Sequence, residues 1–141
     1  MELVETAKKS GAICHHDFTH YNVIHYREKL YVINFEYCCR ELKMYDLANL
    51  IRRKMRKCGW DINEAKLILD QYKTIEDLTR EEMDIIAVLL MFPQKFWRTS
   101  NRYYNSKRSW AEKNFIIRIK EVIDEIDCHK EFIKRFDQVF L

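Results

Sequence analysis

Glycine and proline are scarce. Two glycines, Gly11 and Gly59, and one proline, Pro93, serve all 141 residues, which excludes a glycine-rich phosphate loop of the Walker or protein-kinase type. Long apolar runs are missing as well: the longest extends from Ile85 to Phe92, well short of the roughly 20 residues a membrane helix requires. No membrane span is expected. The opening Met1-Glu2-Leu3-Val4-Glu5 is acidic and lacks the basic and apolar regions of a secretory signal, so an intracellular protein made in the cytoplasm is expected. Cysteine is present but unpaired in pattern. Cys14, Cys38, Cys39, Cys58 and Cys128 form no C-x-x-C motif and are odd in number, which favours reduced, mostly structural thiols over a disulfide framework. A net charge of +3 from 25 basic and 22 acidic residues is too small to argue for nucleic acid, and no nucleic-acid partner is expected.

What remains is an ordinary globular composition, 48% hydrophobic and 33% charged. A chain of this length buries about two thirds of its unfolded surface, enough to fold as one domain over residues 1–141 without a metal or disulfide. Strand character is confined to the region from Gly11 to Phe35, where Val23-Ile24-His25 and Leu30-Tyr31-Val32-Ile33 flank Arg27-Glu28-Lys29 and predict a hairpin. From Asp46 onward the spacing is helical. Asp46 is placed to cap a helix with the stripe Leu47, Leu50, Ile51, Met55 and Cys58, and Gly59 to end it. Capping boxes at Asp61/Glu64, Thr79/Glu82 and Ser109/Glu112 start three more helices. Ile62, Ala65, Ile68, Leu69 and Tyr72 form one apolar face, and Ile85 to Phe92 is expected at the centre of the core. Pro93 redirects the chain, a helix carrying Phe96, Trp97, Ser100, Tyr103 and Tyr104 follows, and Phe115, Ile119, Val122, Ile123 and Ile126 mark a long last helix. The fold class is therefore α+β, mainly helical: a polar loop and small hairpin followed by about five helices.

The polar loop carries the chemistry. It reads His15-His16-Asp17-Phe18-Thr19-His20-Tyr21-Asn22, and Asn34-Phe35-Glu36 follows the hairpin. H-x-D-x-x-x-x-N is a kinase catalytic-loop spacing, in which the Asp reaches the attacking hydroxyl and the Asn turns back toward a metal. A second acidic position at the end of the next hairpin completes the metal site. Cys14-His15-His16-Asp17-Phe18, Tyr31-Val32-Ile33-Asn34-Phe35-Glu36-Tyr37, Tyr45-Asp46-Leu47, Met91-Phe92-Pro93-Gln94-Lys95-Phe96-Trp97-Arg98 and Tyr103-Tyr104-Asn105 together resemble the CotS-type spore-coat proteins. That family lies within the aminoglycoside phosphotransferase and choline kinase superfamily, and the similarity runs from about Gly11 to the last helix.

The resemblance implies the C-terminal lobe of a protein-kinase-like fold. It implies Asp17 as catalytic base or hydroxyl-orienting group, Asn22 as a magnesium ligand, His15 as a brace of the loop, and Asp46 as a structural support that bonds loop amides. ATP and Mg²⁺ are the implied cofactors if the protein is active, and a small hydroxyl-bearing compound the implied acceptor. Two departures stand out. Asn34 occupies the position where the family usually has a metal-binding Asp, and a neutral amide attracts Mg²⁺ less than a carboxylate does. Glu36 is a candidate to compensate, since residues two apart on a strand share a face. The stretch before His15 is too short to build the upper, nucleotide-binding lobe. The expected function is thus a spore-coat protein of sporulation with a kinase-like lobe, a truncated or degenerate ATP-dependent phosphotransferase. Its expected partners are other coat proteins or a missing N-terminal lobe.

Plainer readings compete at several positions. A non-catalytic coat assembly protein would use the same scaffold as a binding surface. His15, His16, His20 and His25 suggest a zinc site only weakly, because their spacing is irregular. Arg52, Arg53, Lys54, Arg56 and Lys57 read as the solvated face of a helix rather than a polyanion site. Phe92, Phe96, Trp97, Tyr103, Tyr104 and Trp110 could cage a cationic group, but aromatic stripes at helical spacing are more often core.

Overall fold

The structure, a computed structural model, describes Glu5, residues 11–105 and residues 112–141. It is mainly helical, with two short antiparallel ladders, one nested within the other. The inner ladder is the hairpin of β2 (Val23–Tyr26) and β3 (Lys29–Val32), in register from Val23↔Val32 to Tyr26↔Lys29. Its two-residue turn puts Arg27 and Glu28 at φ 47° and 63°, the left-handed pair that matches the twist of a tight hairpin. The outer ladder joins β1 (Gly11–Cys14) to β4 (Cys39–Leu42), with Gly11 opposite Leu42 and Cys14 opposite Cys39. β4, which contains Arg40 and Glu41, falls outside the region to which the sequence confines strand character, and β1, inside that region, is not among the runs the sequence marks as strands.

Five helices follow: α1 (Tyr45–Met55), α2 (Ile62–Lys73), α3 (Arg80–Met91), α4 (Gln94–Asn105) and α5 (Glu112–Phe140). Gly59, at φ 65°, closes the turn after α1, where the Trp60 N–H bonds the Met55 carbonyl at 2.9 Å. The Thr79/Glu82 capping box is complete: Thr79 Oγ1 accepts from Glu82 N at 3.2 Å and Glu82 Oε2 from Thr79 N at 3.0 Å. Asp61 caps α2 through Asn63 N, but Glu64 pairs with Lys54 at 3.1 Å instead of reaching back. Ser109 and Trp110 lie outside the described residues.

The core gathers Met44, Leu47, Ala48, Ile51 and Met55 from α1 and its approach, Ala65 and Leu69 from α2, and Met83, Ile86, Ala87 and Leu90 from α3. Phe132 and Phe136 close it from the far end of α5. Three sequence expectations change here. Ile123 and Ile126 are exposed, so the last helix is anchored by its C-terminal half. Only the inner side of Ile85 to Phe92 is buried: Val88, Met91 and Phe92 are exposed because nothing among the described residues covers the outer side of α3. Phe96, Trp97, Tyr103 and Tyr104 are likewise at the surface of α4, not in the core.

Candidate functional site

The site grows from the loop between β1 and β2. Its entrance is fixed by Asp46, the second residue of α1. That carboxylate does not cap its own helix, whose N-cap position is Met44. It accepts from the backbone N–H groups of His15 at 2.6 Å and His16 at 3.0 Å. His16 takes a left-handed conformation, φ 65°, and stacks flat on the Tyr45 ring at 4.3 Å.

His15 is buried against Phe18 and Phe35. Its Nδ1 accepts from the Asp17 N–H at 3.3 Å and its Nε2 faces the Ile33 carbonyl at 2.8 Å, a pairing that assigns the ring hydrogen to Nε2. The Ile33 N–H donates in turn to Asn22 O at 3.0 Å. Loop and hairpin are thereby joined on both sides of Ile33, which fixes where Asn34 begins. Of the other histidines, His20 and His25 are exposed. Among the described residues, no group of three or more His, Cys, Asp or Glu side chains is arranged to hold a metal ion.

Three of the expected site residues meet. Asn22, buried at the end of a 3₁₀ turn, donates through Nδ2 to Asp17 O at 2.9 Å and Asp17 Oδ2 at 3.2 Å. Asn34 Nδ2 faces Asn22 Oδ1 at 3.4 Å. Glu36 stands apart from this chain of contacts. The shared-strand argument for it fails: β3 ends at Val32, Asn34 is left-handed at φ 67°, and Phe35–Tyr37 is a 3₁₀ turn. Glu36 is exposed and has no hydrogen-bond partner among the described residues.

One residue enters unannounced. Arg53 Nη2 pairs with Asp17 Oδ1 at 3.1 Å, so both carboxylate oxygens of Asp17 are engaged. The basic stretch is the expected solvated face at Arg53, Lys54, Arg56 and Lys57, all exposed, and departs from it at Arg52. Arg52 is buried, lowered in pKa chiefly by that burial, and donates to Asn49, Gln94 and the Leu89 carbonyl. Arg56 bonds Glu125 on α5 at 2.9 Å. Such spacing in sequence gives no sign of which cation reaches the loop, because the contact spans 36 positions and depends on how α1 is set against it.

Comparisons with known proteins bear on the family and the fold. The family model described as "Spore coat putative kinase YutH" matches residues 1–136. The chain belongs to this family. Spore coat protein S of Bacillus subtilis is 20% identical over 132 residues, 92% of this chain and 38% of that protein. An uncharacterised protein of Mycoplasma pneumoniae is 29% identical over 115 residues, covering 78% of this chain and 39% of the relative. The crystal structure of an aminoglycoside phosphotransferase from Alicyclobacillus acidocaldarius superposes with a TM-score of 0.82 at 20% identity, over 97% of this chain and 42% of the other. The fold is that of a kinase-like C-terminal lobe, and the chain spans about two fifths of the length of these relatives.

A phosphotransferase fold raises the question of a cation. Mg²⁺ takes oxygen ligands, keeps several waters, and is usually held by one or two carboxylates together with substrate phosphates. Here the adjoining donors are the amide groups of Asn22 and Asn34. A half-turn of the Asn34 amide exchanges Nδ2 for Oδ1 at the same point, so the two side chains can present a pair of oxygens toward one ion. The pair is neutral. It fits a cation that arrives with phosphate oxygens better than one resident in the protein.

Proposed function

We propose that this spore-coat kinase-like lobe retains a phosphotransfer-type centre, built on Asp17, whose cation site is weakened. In a protein of the relatives' full length, the portion outside the matched region would supply the nucleotide-binding lobe. Asp17 would orient the acceptor hydroxyl and take its proton as the oxygen attacks the γ-phosphorus of ATP and the bond to the β-phosphate oxygen breaks. Asn22 and Asn34 would hold Mg²⁺, which neutralises phosphate charge when bound. His15 and Asp46 serve as supports, keeping the loop in one shape. The observation that carries this reading is the hydrogen-bonded run Asp17–Asn22–Asn34 on a loop clamped at both ends. Before an acceptor can use Asp17, Arg53 has to swing aside. At an exposed pair that costs little, on the order of 1 kcal/mol or less.

Titration with Mg²⁺ and ATP while following thermal unfolding tests it, since a ligand that binds only the folded state raises the melting temperature. The reading expects a rise at millimolar ligand that Asn22→Ala removes; no rise would contradict it.

A second reading has its own support. Ile24, Tyr26, Leu30, Tyr31, Phe35 and Tyr37 expose large apolar surface on and beside the hairpin, more than scattered single residues would. This surface suits either a nucleotide-binding lobe or another coat protein, and the latter would make the chain an assembly partner at the spore coat without turnover. Transfer of labelled γ-phosphate to a hydroxyl compound by the full-length protein, lost in Asp17→Asn, would exclude that reading.

A further inference from the structure

Cys14 and Cys39 are directly opposed at the inner end of the β1–β4 ladder. Opposed residues of an antiparallel pair project from the same face with Cα atoms about 4.5–5.5 Å apart, within the roughly 4.4–6.8 Å that disulfides span. Both thiols are free, Cys14 buried and Cys39 exposed. From this opposition we infer that Cys14 and Cys39 form a thiol–disulfide site, oxidised by a small disulfide such as oxidised glutathione, that closes a covalent ring around the candidate centre.

The ring would begin one residue before His15 and end two after Tyr37, so Asp17, Asn22, Asn34 and Glu36 all lie inside it. Cys38, also exposed, is not an equivalent candidate: adjacent side chains along an extended segment point to opposite faces, and Cys38 lies outside the paired residues. The roles of the two thiols follow from their surroundings. Cys14 Sγ is hydrogen-bonded to the Leu42 carbonyl at 3.3 Å. Burial, then the charges of Asp46 and Glu41, push its pKa up, and Cys39 is among the smaller contributors. Cys14 is therefore the poorer nucleophile and Cys39, open to solvent, the point of first attack.

The exchange balances. The Cys39 thiolate attacks one sulfur of oxidised glutathione, forming a mixed disulfide and releasing a glutathione thiolate. The Cys14 thiol then loses its proton, and its sulfur attacks Cys39 Sγ and expels the second glutathione thiolate. Two protein thiols are oxidised, one small disulfide is reduced to two thiols, and the two protons pass to them.

The test uses the full chain, incubated with oxidised glutathione under native conditions, alkylated and digested with trypsin without reduction. Cleavage after Lys9, Arg27, Lys29 and Arg40 separates Cys14 in the peptide Ser10–Arg27 from Cys39 in Leu30–Arg40. The expected product is these two peptides joined, from monomeric protein, retained in Cys38→Ser and lost in Cys39→Ser. Because Cys39 is exposed, that variant keeps the reduced protein's melting temperature. Oxidised wild-type protein is expected to melt roughly 5–10 °C higher, as constraint of the unfolded chain implies. Glutathione left on Cys39 without ring closure, a crosslink through Cys38, or a crosslink only between two chains would each overturn the inference.

Discussion

Asp46 shows how much one carboxylate fixes. It accepts two loop N–H groups and neutralises two donors that the left-handed turn at His16 leaves without carbonyl partners in the β1–β4 ladder. Charge-assisted bonds of this kind are worth about 1.5–3 kcal/mol each at partly buried sites. Asp46→Ala is therefore expected to destabilise the protein by about 2–4 kcal/mol in denaturant unfolding and to accelerate amide exchange at His15 and His16 first. Unchanged exchange at those two amides would show that the clamp is dispensable. At this scale the sequence was partly legible. Asp17 and Asn22 are five positions apart, and the motif spacing brings them together through local turn geometry. Arg53 was not legible, since its approach to Asp17 depends on tertiary packing. Glu36 does not follow from the strand argument, because Asn34, two positions before it, leaves the extended conformation.

Among elements, the hairpin and the helices were the most readable, each for a local reason. Short runs of β-branched and aromatic residues mark β2 and β3, and the Thr79/Glu82 pair marks the start of α3. β1 and β4 are less legible because their sequences, Gly-Ala-Ile-Cys and Cys-Arg-Glu-Leu, carry few β-prone residues and their stability comes from pairing with each other. The hairpin turn runs against its own residues: Arg27 and Glu28 both sit at positive φ, which side-chain-bearing residues other than Asn and Asp seldom adopt. Replacing Glu28 by Gly is expected to stabilise the hairpin by about 0.5–1 kcal/mol, measurable as slower amide exchange across Val23–Val32. Faster exchange would mean that the turn is held by contacts of the Glu28 side chain.

For the molecule as a whole, charge couples the helices and makes stability depend on pH. Burial would raise the Glu82 and Glu125 carboxyls, but Lys43 with the Thr79 amide, and Arg56 with Lys95, outweigh it and hold both below the usual carboxylate range. Lys43 is raised by its bonds to Glu76 and Glu82. His129, on α5, is lowered by burial, and Arg52 adds to the effect; its Nε2 lies 2.9 Å from the Leu90 carbonyl and its ring 4.3 Å from Trp60. A histidine depressed in the folded state takes up its proton more readily when unfolded. Stability should therefore be full above pH about 6.5 and decline as the pH falls through the folded value. Further loss is expected as the two glutamates protonate. A His129→Gln variant should flatten the first decline while leaving the second; an unaltered profile would assign the loss to another group.

The central claim is that the Asp17–Asn22–Asn34 run answers to a cation with phosphate. The most direct measurement follows the side-chain amide resonances of Asn22 and Asn34 by NMR as Mg²⁺ and ATP are added. The account predicts saturable shifts at both amides, absent with Mg²⁺ alone and with ATP in the presence of a chelator. Unmoved resonances at millimolar Mg²⁺ and ATP, or shifts confined to residues remote from the loop, would contradict it.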